Sequence, residues 1–407
     1  MTLPENKVIK HKNYLLVIDN NYLNTNITYL KENFCGKIID TLAELPTNIS
    51  EIRIFACGDI SKIEDCNLPI FVIKECSINA SNNLAVNFTE VSLGDVPILI
   101  HQAGVYYRRL FKEADYFSKI KSEHEFQELT ESNKGGIAFR KGIYLSEITK
   151  EEECTKEEVL HFNLLRCSSN FKGPTDNFRA TDHAIISKIN TELPFIFEHD
   201  IKLNHVLAQI YENKLKSDET TKEKKAKIKA HSDKTKDMPK HGLIAFCTFY
   251  NNLDIANIKP STTDIFDLCI NNVSVLTRLE FKLKEGVNDE NKAKEFTVVL
   301  YPNSVFIIPL SSNRLYTHEI KPSVLSVDKI PTRLGYVVRC SNLEAKYMNN
   351  QTFIKENGQY LPLEQMTDEP FENLKYSYAQ ENKTEKQIEY GKVHFSMNTG
   401  DYLKPNY

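Results

Sequence analysis

The first 95 residues set short apolar runs beside one helical repeat. Tyr14 to Asp19 and Glu51 to Ala56 alternate or cluster like strands, and Pro69 to Lys74 is a third short apolar run. Asn26 to Leu45 carries its apolar residues at helical spacing, so this stretch predicts a small α/β unit. Val105 to Ile120 mixes aromatic and aliphatic residues at the same spacing and predicts a helix. Beyond it the pattern changes to short β-rich runs at regular intervals: Gly142 to Leu145, Val159 to Cys167, Leu203 to Tyr211, Ile228 to Asp233 and Gly242 to Phe249. They continue with Leu276 to Leu283, Phe296 to Tyr301, Ser304 to Pro309, Arg314 to Glu319 and Leu334 to Cys340. Ala180 to Asn190 is the clear helix among them, and Pro302-Asn303-Ser304 is a turn. Strand after strand with polar connections predicts an all-β sandwich or barrel core.

Composition narrows the classes. At about 150 residues per domain, 407 residues suggest two to three domains. Lys plus Arg is 51 against 55 Asp plus Glu, a net charge of −4, which argues against coating nucleic acid by bulk positive charge while leaving room for a local basic groove. No apolar run reaches the ~18 residues of a membrane helix. The start, with Glu5, Lys7, Lys10 and Lys12 before a short apolar run, lacks a signal-peptide pattern. The expectation is an intracellular, cytoplasmic protein, with a nuclear location left open. Nine scattered cysteines form no Cys-x-x-Cys and predict reduced thiols. Residues 212–229 hold seven lysines against four acids without apolar periodicity, an exposed loop or flap. The stretch after about residue 345 is rich in Asn, Glu and Lys and predicts a partly ordered extension. Gly-rich phosphate loops, His-Glu-x-x-His and Gly-x-Ser-x-Gly are all missing, which removes the common nucleotide, zinc-protease and serine-hydrolase chemistries.

What remains is one constellation. His231-Ser232-Asp233 is the only His-x-Asp of the chain, and on a strand its two ligating side chains share a face. That is two-thirds of a facial triad of two histidines and a carboxylate, which leaves metal positions open for co-substrate and oxygen. His318, in a later β-rich run, is placed to supply the third ligand; His394 is the other downstream histidine. Arg333 and Arg339 follow, six residues apart and so on one face of a strand, where a guanidinium grips a carboxylate in a fork.

His-x-Asp, a distal His, an Arg and a second Arg at plus six resemble, in this order, the Fe(II)/2-oxoglutarate dioxygenases, and among them the AlkB-like family. Asn204-His205-Val206-Leu207-Ala208-Gln209-Ile210-Tyr211 is similar to that family's Asn-x-x-Leu-x-Asn-x-Tyr strand, with Gln209 standing in for the second Asn. The long insertion between Tyr211 and His231 is a further departure. The resemblance implies an α+β protein with a double-stranded β-helix (jelly-roll) core and flanking helices. It implies an AlkB-like domain over residues 96–345, with a substrate cover at about 100–185 and the core at about 186–345. Residues 1–95 and 346–407 lie outside it. It further implies Fe(II) on His231, Asp233 and His318, O2 at the metal, and 2-oxoglutarate as co-substrate on Arg333, Tyr211, Gln209 and Asn204. Arg339 would bind co-substrate or brace Asp233.

The implied reaction hydroxylates a C–H bond. On an N-linked methyl this is oxidative demethylation, releasing formaldehyde from an alkylated DNA or RNA base. A protein side chain or a small molecule is the alternative substrate, and a non-catalytic jelly-roll interaction protein is the alternative outside enzymes. Tyr106, Tyr107 and Arg109, with Asn177 and Phe178, combine aromatic and polar groups that suit a flipped base. The same tyrosines on a helix would simply be buried, with arginines reaching solvent. The 212–240 lysines could guide a phosphate backbone, or form a solvated loop.

Overall fold

Asn13–Ile18 and Arg53–Asp59 are apolar on both faces, as strands inside a parallel sheet are. They pair in parallel, and the sheet runs in the order 37–39, 13–18, 53–59, 70–78, 88–91, parallel throughout. The computed structural model describes residues 6–18, 25–63, 67–79, 87–112, 115–130, 137–151, 158–167, 171–215 and 223–407. Within the predicted helix 26–45, the α-helix is confined to Thr25–Asn33; the chain then enters the strand Lys37–Ile39 and a single 3-10 turn, Leu42–Glu44. Gly36 makes the break: a Cβ there would stand 2.3 Å from the Asn13 carbonyl oxygen, so only glycine lets the chain come this close to the neighbouring strand.

The centre is a nine-stranded sheet with a four-stranded sheet facing it. The larger runs in the order 176–177, 137–146, 205–211, 333–339, 243–250, 304–309, 104–107, 98–100, with 127–130 paired to 137–146. The smaller runs 228–231, 316–321, 278–283, 295–299 and is antiparallel throughout. Directly opposed residues of an antiparallel pair share a face. Rows therefore cross the large sheet: Tyr211, Arg333 and Tyr250, then Gln209, Gly335 and Thr248, then Leu207, Val337 and Phe246, then His205, Arg339 and Ile244. This inner face looks onto the small sheet, where Phe246 lies 5.3 Å from the His318 ring and Phe306 lies 5.7 Å from Phe281. The outer face, with Val206, Ala208, Ile210, Leu334, Tyr336 and Val338, packs in one apolar cluster with Ile185, Ile186 and Ile189 of the helix Ala180–Glu192.

Three expectations are corrected. Val105 to Ile120 is not one helix but a strand, Gly104–Tyr107, followed by the helix Tyr116–Glu123. The strand is buried on both faces, and such a short apolar run carries no period that tells strand from helix. Arg314 belongs to a short helix, Leu310–Leu315, and the strand starts only at Tyr316. The polar C-terminal stretch is ordered. Leu343–Met348, Gln351–Glu356 and Gln359–Pro362 extend a sheet with Leu160–Leu164 and Thr149–Lys150, and Asp368–Lys383 is a helix. Its polarity reflects strands with only one covered face, as Thr352 and Ile354 are buried between exposed or half-buried neighbours.

The seven cysteines among the described residues are free thiols, whereas Cys66 and Cys154 lie outside them. Of the lysine-rich insertion, residues 216–222 lie outside the described residues. Its flanks pair through Lys214 and Lys224, whose ammonium groups lie 5.3 and 5.2 Å from the Phe139 ring centre. Among the described residues no helix is long and apolar enough to cross a membrane.

Candidate metal centre

His231 ends the strand Ile228–His231 and stands opposite His318 in register, their ring centres 4.5 Å apart. Asp233 follows two residues later, beyond the strand. The pleat therefore does not aim its carboxylate, contrary to the same-face expectation. Asn313 does the aiming: the Asp233 amide donates to Asn313 Oδ1 and Asn313 Nδ2 donates to the Asp233 carbonyl, both at 2.9 Å. One ligating atom from each of His231, Asp233 and His318 lies within 4.8 Å of the others. His231 Nδ1 is 2.8 Å from the Lys229 carbonyl and so carries the hydrogen. Nε2 is left with its lone pair, 3.6 Å from Asp233 Oδ1.

The electrostatics keep two of the donors, His318 and Asp233, deprotonated. Burial, helped by neighbouring His231, pushes His318 down to about 3, so its imidazole is neutral. Burial opposes a charged Asp233, but the Arg339 guanidinium, with the His231 contact behind it, holds its carboxyl well below the usual range. Arg339 Nη2 is 3.0 Å from Asp233 Oδ2, an ion pair without hydrogen-bond alignment, and both side chains are buried. Metal ligands must be deprotonated, and His318 and Asp233 are so at neutral pH.

Three rows from Arg339 on the same face of the large sheet stands Arg333, 4% exposed, its guanidinium 4.0 Å from the Tyr211 ring centre. Among the described residues its Nε and Nη2 are buried without a hydrogen-bond partner, as are Thr248 Oγ1 beside it and His318 Nδ1 across the layer. Tyr211 donates to Gln209 Oε1 at 3.4 Å. A buried cation without a counter-charge is costly, so the donor set fits an anion at Arg333 and a divalent metal at the two histidines and Asp233.

Most of the expected ligand and co-substrate residues thus converge on one interior layer. Asn204 does not. It lies on the opposite alternation from Gln209 and Tyr211, and its amide closes a reciprocal pair with the backbone of Ser341, at 3.0 and 2.7 Å. His205 takes the inner position instead, opposite Arg339, and burial with Arg339 pushes it down to about 3. Its parity with Gln209 and Tyr211 was the signal that could have found it. No motif marked Asn313 or Thr248.

The base-stacking expectation for Tyr106 and Tyr107 is corrected: both are sealed in the interior. Tyr106 donates to the Val299 carbonyl at 2.6 Å, and Tyr107 to Glu192 at 3.0 Å. Arg109 is exposed. Asn177 spends its amide on the backbone of Ile148, and Phe178 packs edge-on against His183. His394 pairs with Glu356 at 2.7 Å, away from the triad.

A second group, Glu123, His124 and Asp182, also brings three donors within 4.8 Å. Both His124 nitrogens are taken, by Asp176 and Asp182 at 2.8 Å each. It forms an ionic lock between the helix Tyr116–Glu123 and the elements behind the large sheet.

No family model matches the chain, and no curated protein matches it. Among solved structures it is similar to a Pseudomonas putida prolyl-4-hydroxylase, with a TM-score of 0.26 and 12% identity over 55% of this chain and 82% of the other. It is also similar to OsALKBH1, with a TM-score of 0.27 and 13% identity over 53% of this chain and 84% of the other. Likeness at this level leaves fold and function to be argued from the geometry of the chain itself.

Proposed function

We propose that the chain is an Fe(II)- and 2-oxoglutarate-dependent dioxygenase that hydroxylates a C–H bond. One observation carries this: two histidines and a carboxylate converge on the same interior layer as a buried guanidinium that has no counter-ion among the described residues. Two facing layers, antiparallel apart from the edge pair of 176–177 with 137–146, whose strands from 205 to 339 mostly alternate between the sheets, support the jelly-roll reading.

His231, Asp233 and His318 would hold the metal, leaving its remaining positions for co-substrate and oxygen. Bound there, Fe(II) with 2-oxoglutarate and O2 supplies the oxidation that places one oxygen atom in a C–H bond and converts 2-oxoglutarate to succinate and carbon dioxide. Arg333, backed by the Tyr211 ring, binds the far carboxylate of 2-oxoglutarate. Thr248 and Gln209, one row along, line the same layer. Arg339 holds the Asp233 carboxylate, and Phe246 and Phe281 shield His318 from water.

The test is an anaerobic titration with Fe(II) and 2-oxoglutarate, followed by the visible charge-transfer band. Wild type is expected to give the band, and Arg333→Ala to need about 100-fold more 2-oxoglutarate, since removing one partner of a buried charged hydrogen-bonded pair costs roughly 2–5 kcal/mol. No band under any condition would sink the dioxygenase reading.

Within this reading the substrate is an alkylated nucleic-acid base, demethylated oxidatively. A cleft of about 370 Å³ along the metal-bearing strand supports it, lined by Lys227, Lys229, Arg278 and Lys321 with Glu319. Lys321 is neutralised by Glu280 and Glu319, whereas Lys227, Lys229 and Arg278 have no carboxylate partner among the described residues. Such cations suit a phosphate backbone. The double variant Lys227→Glu/Lys229→Glu is expected to weaken binding of a methylated single-stranded oligonucleotide and to flatten its log–log salt slope by about 2. An unchanged slope, with succinate release on peptides or small molecules instead, would favour the alternative substrates.

A further inference from the structure

The loop that carries Asp233 has no regular structure of its own, so its backbone groups need partners from elsewhere. They come from the C-terminal helix, which lies outside the region the dioxygenase resemblance covers. The Ser232 amide, between the two ligands His231 and Asp233, donates to Asn382 Oδ1 at 2.8 Å. The Thr235 amide and hydroxyl both donate to Glu381 Oε1, at 3.1 and 2.5 Å. Lys234 Nζ donates to the Tyr378 carbonyl at 2.8 Å.

A second connection closes the ring. Lys284 Nζ, buried just past the strand 278–283, donates to the carbonyls of Glu381 at 2.6 Å, Thr384 at 3.2 Å and Asn313 at 3.4 Å. The last carbonyls of a helix lack partners inside it and carry its negative dipole end, so an ammonium belongs there. Asn313 in turn holds the backbone of Asp233 from both sides. The metal loop is thus enclosed between Asn313 and the end of the helix Asp368–Lys383, with Lys284 joining the two.

We infer that this helix end is part of the metal centre, and that Asn382 is a positioning residue that fixes the Ser232 amide and with it the separation of His231 from Asp233. The inference rests on the dioxygenase reading. Its test is the Fe(II) titration of full-length protein in the presence of 2-oxoglutarate, with the unfolding midpoint of the metal-free protein measured alongside. Asn382→Ala is expected to raise the half-saturating Fe(II) concentration at least about tenfold, the usual effect of losing an outer partner of a metal ligand. Asn382→Asp keeps an acceptor oxygen at the same reach and should restore most of the affinity. Tyr376→Ala, exposed on the same helix, should change nothing. Thr235→Val reaches the same loop through Glu381 and serves if Asn382→Ala does not fold. Wild-type affinity in both Asn382→Ala and Thr235→Val overturns the inference alone. Absence of the band in wild type overturns the dioxygenase reading and the inference with it.

Discussion

Asp233→Ala is expected to abolish iron binding and to destabilise the metal-free protein by about 3–5 kcal/mol, the cost of breaking a buried ion pair from one side. The second effect separates it from the other ligand variants. Asp233 is the counter-charge of Arg339, both side chains are less than a tenth exposed, and Arg339 Nη1 otherwise meets only the Cys167 sulfur at 3.2 Å. Removing the carboxylate strands a buried guanidinium. His231→Ala strands no buried charge: its side chain is about a third exposed, Asp233 keeps Arg339, and the Lys229 carbonyl that His231 Nδ1 meets is on an exposed residue. It should lose iron affinity by more than about 100-fold, beyond what outer partners contribute, with a stability change of about 1 kcal/mol or less. Urea unfolding of the metal-free variants, beside the Fe(II) titration, reads both quantities. A band that survives in either variant would remove that residue from the ligand set. Equal stability of the two variants would show that the Asp233–Arg339 pair contributes little to the fold.

The second large effect lies behind the sheet. His124 has no exposed side-chain surface and touches Asp176 and Asp182 at 2.8 Å on its two nitrogens. Burial alone would lower its affinity for a proton, but the bonds and charges of the two carboxylates outweigh it and raise the imidazole from 6.5 to about 9. The folded value lies above the unfolded one, so the protonated form is what the fold stabilises. That contribution is fully present below about pH 6.5, declines above it, and is lost as pH rises through about 9. A shift of this size bounds it at about 3 kcal/mol. Unfolding free energy measured from pH 6 to 10 should fall over this window in wild type and lose most of that slope in His124→Gln. At pH 7, His124→Ala leaves two carboxylates facing each other and should cost about 3–5 kcal/mol. Asp182 also accepts from the Tyr336 hydroxyl at 2.6 Å, which ties the lock to the strand that carries Arg333 and Arg339. A wild-type profile that is flat from pH 6 to 10 would refute the imidazolium assignment.

The strands of the core were legible as short apolar runs bounded by polar or turn residues, a length and setting that suit a strand better than a helix. His205–Tyr211, Leu243–Tyr250 and Ser304–Pro309 fall within two residues of the runs read from the sequence. The helix expected over Val105 to Ile120 failed because a strand buried on both faces carries no period to read. The candidate ligands were legible as residue types in order, since histidine, aspartate and arginine are few enough for their spacing to inform.

What points those residues was not legible. Asp233 stands past the end of its strand and is aimed by Asn313, 80 residues away, rather than by the pleat. Asn204 matched the motif yet turned to Ser341, while His205, which no motif marks, took the inner face. The C-terminal helix, polar and unremarked in the sequence, grips the metal loop through Asn382 and Glu381. The sequence by itself determined the short apolar runs that make the sheets and the donors that can bind a metal, because both are local properties of side chains. Only the tertiary structure decided which donors meet and which charges are left to be paired, because those depend on partners brought together from distant parts of the chain.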